Sequence, residues 1–310
     1  MKRRSKARSA TQAGRKRATV KKQPARQRRA AAKSARSRPA RRADLKVAIA
    51  GFGAIGRAVA RKLDEGMPGL RLVAVAARDL DRARAQVAGF KRKPAVVTLA
   101  RLPGMADIVV ECPPASAFAE IALPALERGR ILMVITVGAL LAHPELPALA
   151  ERHGGRIVVP TGALIGLDAV RAAAEGEIRS VRMISRKPPR GLAGAPHLVA
   201  NRIEVEGIDA PLKVFEGSAR EAVRGFPANV NVAAALSLAG IGPDRTTIEV
   251  WADPGIDRNT HSIEVEADSA RFSMTIANVP SEENPRTGRI TALSVVAALR
   301  KLTSPLAIGT

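Results

Sequence analysis

Three glycines, Gly51, Gly53 and Gly56, stand in the spacing G-x-G-x-x-G within the run GFGAIG. A short apolar stretch, LKVAIA at 45–50, precedes the run, and helix-forming residues at 57–65 follow it. Between a strand and a helix, the first glycine permits a tight turn and the second lets a phosphate approach the backbone. The third allows the helix to pack closely on the strand. The helix amino terminus adds free N–H groups and the positive end of its dipole, which together suit a pyrophosphate. Gly51, Gly53, Ala54, Ile55 and Gly56 are thus the expected cofactor-binding residues of this turn, against a reading in which the glycines serve packing alone. At the end of the next apolar run, where an acid would bind an adenosine ribose, stand Ala77, Arg78 and Asp79. Arg78 would suit a 2′-phosphate and Asp79 a ribose hydroxyl, so the cofactor is NAD or NADP, with the choice open.

Acid–base chemistry near neutral pH points to the four histidines. His153 ends a helical stretch before two glycines, where a carboxyl-terminal dipole role suffices. His143 precedes a proline and has no evident partner in the sequence. His197 lies in a Gly/Pro-rich segment, and His261 begins a strand after the polar turn DPGIDRNT. Residue types alone do not choose between these last two. The single cysteine, Cys112, excludes an internal disulfide and reads as a small core residue, since nothing near it in sequence would generate a thiolate. One Cys and four scattered His give no metal-site spacing, so no metal is expected.

The elements that must hold these residues fall into two textures. From 45 to 160, apolar runs (LKVAIA, LRLVAVAA, PAVVTL, ADIVVEC, ILMVITV, GRIVVP) alternate with helical stretches, which implies a parallel sheet with helices on both faces. Beyond it, a long alternating strand at 178–187 precedes a Gly/Pro-rich segment at 188–211, expected to be loop with some extended structure. Helical stretches at 218–224 and 228–239 follow, then three strands, TTIEVW, THSIEVEA and ARFSMTIA. Long alternating strands beside helices suggest a mixed, mainly antiparallel sheet covered on one face. An amphipathic helix at 287–301 is placed to pack back on the first half.

The charge is segregated. Of 51 Lys and Arg, 18 lie in residues 1–43, which contain no acid, leaving 33 basic against 28 acidic side chains in the rest. Residues 1–43 offer almost nothing to bury and read as a disordered basic extension, either a polyanion-binding arm or a solvated tail. They lack the apolar centre of a secretory signal, and no run of about eighteen apolar residues occurs anywhere in the chain. A membrane span is therefore not expected, and a reducing, cytoplasmic compartment is.

The assembly of GFGAIG, ECPP, VGAL, TGALIGLDA, SVRMISRKPP, FEGSAREA, NVNVAAALSLAG and ADPGIDRNTH resembles the L-aspartate dehydrogenase family across nearly all of 45–302. The resemblance implies a Rossmann-type doubly wound sheet plus a second α/β domain whose sheet helps to form a homodimer. It implies oxidation of L-aspartate to iminoaspartate with NAD or NADP, feeding quinolinate and NAD synthesis or hydrolysing to oxaloacetate and ammonia. It carries cofactor-binding roles onto Ala163 and Asn231 and the catalytic role onto His261. Arg186, Lys187 and Arg190 are nominees for the two substrate carboxylates. The expected division is a basic extension (1–43), a dinucleotide-binding domain (44–162), a substrate-binding and dimerisation domain (163–285) and a carboxyl-terminal helix (286–310). The alternatives are a related homoserine dehydrogenase or dihydrodipicolinate reductase type of enzyme, and an idle Rossmann protein tethered to nucleic acid by its tail.

Overall fold

The computed structural model describes residues 43–227, 231–284 and 287–309. Expectations for the basic extension fall outside these residues, apart from Ala43. Six parallel strands form the first sheet: β1 (Leu45–Ala50), β2 (Leu70–Ala76), β3 (Ala95–Val97), β4 (Ile108–Glu111), β5 (Ile131–Val134) and β6 (Arg156–Val158). Their spatial order is β3-β2-β1-β4-β5-β6. The order reverses between β1 and β4, which opens a crevice at the carboxyl ends of those two strands.

Strand alternation divides the helices between the two faces. Val47, Ile49, Val75, Ile108 and Val110 pack against α1 (Ala54–Glu65) through Val59, Ala60 and Leu63, and against α2 (Leu80–Val87) through Ala83 and Val87. Ala48, Ala50, Val109, Leu132 and Val134 face the other way, onto α3 (Phe118–Glu127) with its buried Phe118, Ile121 and Leu126. The same face receives α5 (Leu146–Arg152), which follows the short α4 (Val137–Leu140).

The second sheet has the order β11-β10-β7-β9-β8. Its strands are β7 (Ile178–Lys187), β8 (Leu212–Ser218), β9 (Thr246–Ala252), β10 (Thr260–Ala267) and β11 (Arg271–Ala277). Only β7 and β9 run parallel; every other pair is antiparallel. One face buries Val181, Met183, Ile248, Val250, Ile263 and Val265 beneath α6 (Leu167–Ala173) and α9 (Asn231–Ala239). The opposite face is polar, with Arg182 paired to Glu249 and Glu264 and with Arg186 lying over the Trp251 ring at 4.9 Å.

Two sequence expectations for this half change. The segment 188–211 is not all loop, because it holds α7 (Pro196–Asn201), whose Pro196 sits in the first turn, where a missing N–H costs nothing. Strand β8 was not among the expected strands; with Lys213, Glu216 and Gly217 in seven residues, it carries little strand signal. It is followed by α8 (Ala219–Gly225), closed at its start by a reciprocal Ser218–Glu221 capping box. The last helix, α10 (Arg289–Thr303), lays Val295, Val296 and Leu299 into the core beside α1.

Candidate functional site

The glycine turn divides its work as its spacing implies. Gly51 adopts φ +88°, and a Cβ there would meet the Pro113 nitrogen at 2.6 Å, so the residue is fixed by both backbone and neighbour. A Cβ on Gly56 would meet the Gly51 carbonyl oxygen at 2.1 Å, the mark of helix packed directly on turn. Gly53, the N-cap of α1, has nothing within 4 Å of the missing Cβ, and no side chain caps the helix. The first-turn N–H groups of a 12-residue helix thus face an open cradle at the strand crevice. These features fit a dinucleotide pyrophosphate.

At the end of β2, Asp79 spends one carboxylate oxygen capping α2, accepting from the Arg82 amide at 2.9 Å. Arg78 beside it is exposed. On the far side of the crevice, the buried Glu111 carboxylate accepts from the Ile135 and Thr136 amides at 3.0 and 2.9 Å and from the Thr136 hydroxyl at 2.8 Å. Burial nevertheless pushes its pKa up. Burial, with the Glu111 charge beside it, also pushes the Cys112 thiol well above its ordinary value, which agrees with an inert core cysteine.

A cavity beyond this crevice brings together Ile55 of the turn, Ala163, Asn231, Lys187, His261 and Asn278. Five of these, Ile55, Ala163, Lys187, Asn231 and His261, are residues singled out in the sequence. Asn231 opens α9 and accepts from the Gly138 amide of α4 at 3.0 Å, which ties the second half to the end of β5. Ala163 offers its carbonyl to the Asn278 side-chain amide at 3.0 Å.

His261 stands opposite Ser185 in the antiparallel pairing of β10 with β7, so both side chains share the inner face. Lys187, two residues on, shares that face too. The Ser185 hydroxyl lies 3.0 Å from His261 Nδ1, leaving Nε2 as the second ring nitrogen. Burial, reinforced by the Lys187 charge, pulls the His261 pKa down to about 3, so the imidazole is neutral at physiological pH. Burial likewise lowers Lys187 to about 8. Its side chain is 3% exposed, and no carboxylate pairs with it among the described residues. An unpaired, nearly buried ammonium in a cavity wall is costly unless an anion arrives.

The other nominees lie elsewhere. Arg186 points to the opposite sheet face and pairs with Asp253 at 3.1 Å. Arg190 is exposed, on the short helical turn Pro189–Gly191. His197 does not sit in a loop at this cavity; it belongs to α7 and packs against Phe215 and Phe226 at ring separations of 5.2 and 5.3 Å. His143, without an evident partner in the sequence, meets Glu145 at 3.0 Å. His153 caps the carboxyl end of α5.

Asn278, just past β11, is a residue that sequence reasoning missed. It is 3% exposed, and among the described residues its Oδ1 is the one buried side-chain polar atom without a hydrogen-bond partner. A buried acceptor left in this state costs about 1–3 kcal/mol.

The match to known proteins covers both halves. Residues 168–302 match the family described as aspartate dehydrogenase, C-terminal, and residues 51–160 match homoserine dehydrogenase, NAD binding domain. The chain is 57% identical over 267 residues to an L-aspartate dehydrogenase of Bradyrhizobium diazoefficiens, covering 86% of this chain and 95% of that one. It belongs to the L-aspartate dehydrogenase family. A second family member, L-aspartate dehydrogenase 3 of Bordetella bronchiseptica, is 56% identical, with 87% of this chain and 99% of the relative covered. The crystal structure of aspartate dehydrogenase from Thermotoga maritima shares the fold, with TM-score 0.66 at 24% identity, covering 86% of this chain and 99% of that one. Among the described residues no helix is long and apolar enough to cross a membrane, and no cluster of His, Cys, Asp and Glu could hold a metal.

Proposed function

We propose that this protein is an NAD(P)-dependent dehydrogenase that oxidises L-aspartate to iminoaspartate. The observation that carries the reading is the cavity where the dinucleotide turn meets an imidazole and an unpaired ammonium. When bound, the nicotinamide supplies the hydride acceptor. The rest is asked of this chain. Gly51, Gly53, Ala54, Ile55 and Gly56, with the start of α1, hold the pyrophosphate, while Arg78 meets the adenosine end. Ala163 and Asn231 line the nicotinamide side of the cavity.

Hydride can leave Cα only when the amine has a free lone pair, so one ammonium proton must first be removed, and a second proton moves if water adds to the imine. His261, neutral in the free protein and oriented by Ser185, is positioned for this acid–base work. Lys187 receives a substrate carboxylate, which restores the full positive charge that burial disfavours. The polar outer face of the second sheet, which carries Trp251, Arg182 and Glu249, is the surface proposed for homodimer formation. A cytoplasmic enzyme feeding NAD synthesis, with a basic extension that binds polyanions weakly, completes the proposal.

A steady-state assay tests it. L-aspartate should reduce NAD or NADP, and oxaloacetate with ammonia should oxidise the reduced cofactor. Turnover of another amino acid with none of aspartate would overturn the substrate assignment, and sedimentation as a monomer would overturn the dimer.

A further inference from the structure

Asn278 sits where three segments meet. Its backbone N–H donates to the Asn259 carbonyl at 2.8 Å, which fixes it beside the start of β10 and close to His261. Its side-chain Nδ2 donates to the Ala163 carbonyl at 3.0 Å, in the segment that leaves the first sheet. A Cβ on Gly288, the N-cap of α10, would meet Asn278 Oδ1 at 3.0 Å, so the side chain also lies against the entry to the last helix. All three segments contribute to the cavity wall, through Asn259, Ala163 and Gly288. Pinning Ala163 accounts for the amide nitrogen. It leaves the amide oxygen buried without a donor, in the wall of a cavity that also presents His261 and Lys187.

Buried acceptors in folded proteins are almost always satisfied. We propose that Asn278 is a ligand-binding residue of this site, its Oδ1 accepting a hydrogen bond from an N–H group of a molecule held in the cavity. This rests on the dehydrogenase reading, which supplies two molecules with such a group: the nicotinamide through its carboxamide, and aspartate through its amine. Both are N–H donors of the right size, and both must sit within reach of the residues that share the cavity with Asn278. The bond would link substrate or cofactor orientation to the Ala163 segment, since one side chain would hold both.

The test uses the full-length protein and Asn278→Leu, which keeps the branched four-heavy-atom skeleton, though with bulkier methyls, and neither donates nor accepts. NADH binding is followed by its fluorescence, aspartate by its KM, and folding by Tm. A single neutral hydrogen bond predicts a roughly three- to tenfold loss in one arm. If the carboxamide is the donor, Asn278→Leu weakens NADH while leaving the affinity for the reduced 3-acetylpyridine analogue, which lacks the amide N–H, unchanged. If the amine is the donor, the KM for aspartate rises while both coenzyme affinities hold. A folded variant with all three values unchanged overturns the proposal. So does equal weakening of NADH and its analogue together with a lower Tm, which is what pinning Ala163 alone would produce.

Should Asn278→Leu fail to fold, the wild-type protein still decides. Equal affinity for NADH and the analogue, together with equal affinity for aspartate and the amine-free succinate, removes the N–H acceptor from the site. Discrimination of three- to tenfold in either pair supports it. The coenzyme arm requires no turnover, so a failure of the aspartate reading registers in the wild-type assay and is distinguishable from a failure here.

Discussion

The Ser185 hydroxyl lies 3.0 Å from Nδ1 of His261, in the buried interior of the second sheet. Neither residue is near the other in sequence; the antiparallel register of β7 with β10 puts them opposite. The contact engages Nδ1 and leaves Nε2 as the nitrogen without that partner.

If Nε2 performs the acid–base work, His261→Ala should lower kcat by roughly 10²–10⁴, the usual contribution of such a group. NADH affinity should change little if, as proposed, the pyrophosphate is held at Gly53 and the start of α1. His197→Ala, altering an aromatic cluster outside the cavity, should be much milder in turnover. Near-normal kcat in the His261 variant would remove it from the chemistry.

The same histidine should leave a mark on acid stability. Its pKa falls from an ordinary 6.5 to about 3 on folding, so between those values the unfolded chain binds more protons than the folded one. Stability from this group is full above about pH 6.5 and is lost as pH falls towards 3. Replacing His261 by Asn, which does not titrate, should flatten that part of the Tm-against-pH curve; an unchanged slope would show that His261 is not held neutral.

Lys187 predicts an alkaline limb. Its ammonium, lowered to about 8 in the free protein, loses its charge as pH rises through that value, and the KM for aspartate should climb. A bound carboxylate stabilises the charged form, so the matching limb in kcat should lie at higher pH. Lys187→Met should raise KM roughly 10- to 100-fold, as expected for a charged hydrogen bond, and abolish the limb in kcat/KM. A Lys187→Met profile identical to wild type would exclude contact with substrate.

Arg78, exposed at the end of β2, should discriminate between cofactors. Arg78→Ala should weaken NADP more than NAD if the guanidinium meets the 2′-phosphate. Comparable losses for both would take Arg78 out of the adenosine pocket.

Deleting residues 1–43 removes 18 basic side chains and almost no large apolar ones. Tm and turnover should stay close to those of the full chain while retention on a polyanionic resin drops and becomes less salt-sensitive. A large loss of activity would make the segment structural.

The first sheet was legible because its strands are buried on both faces and so read as unbroken apolar runs with a glycine turn at their head. The second sheet was legible where alternation is clear, in β7, β9, β10 and β11, and illegible in β8, whose Lys213, Glu216 and Gly217 blur it. Within the site, the spacing of Ser185 and Lys187 could place them on one face, but nothing in the residues could pair that face with His261, because register emerges only when strands meet. His197 looked equivalent to His261 because Pro196 at a helix start reads as a loop. Asn278 carried no signal at all: an unsatisfied oxygen exists only once its neighbours are in place.

Helix α10 seals the face of the first sheet that α1 begins to cover, with Val295, Val296 and Leu299 set among Val59 and Leu63. During synthesis, those strands leave the ribosome long before α10 does. Until it arrives, an apolar strip beside α1 faces water, and the cavity lacks the wall formed by Gly288 and Thr291. A chain lacking α10 would therefore expose an apolar strip and leave the cavity wall incomplete, so one helix closes both the core of the first sheet and the site.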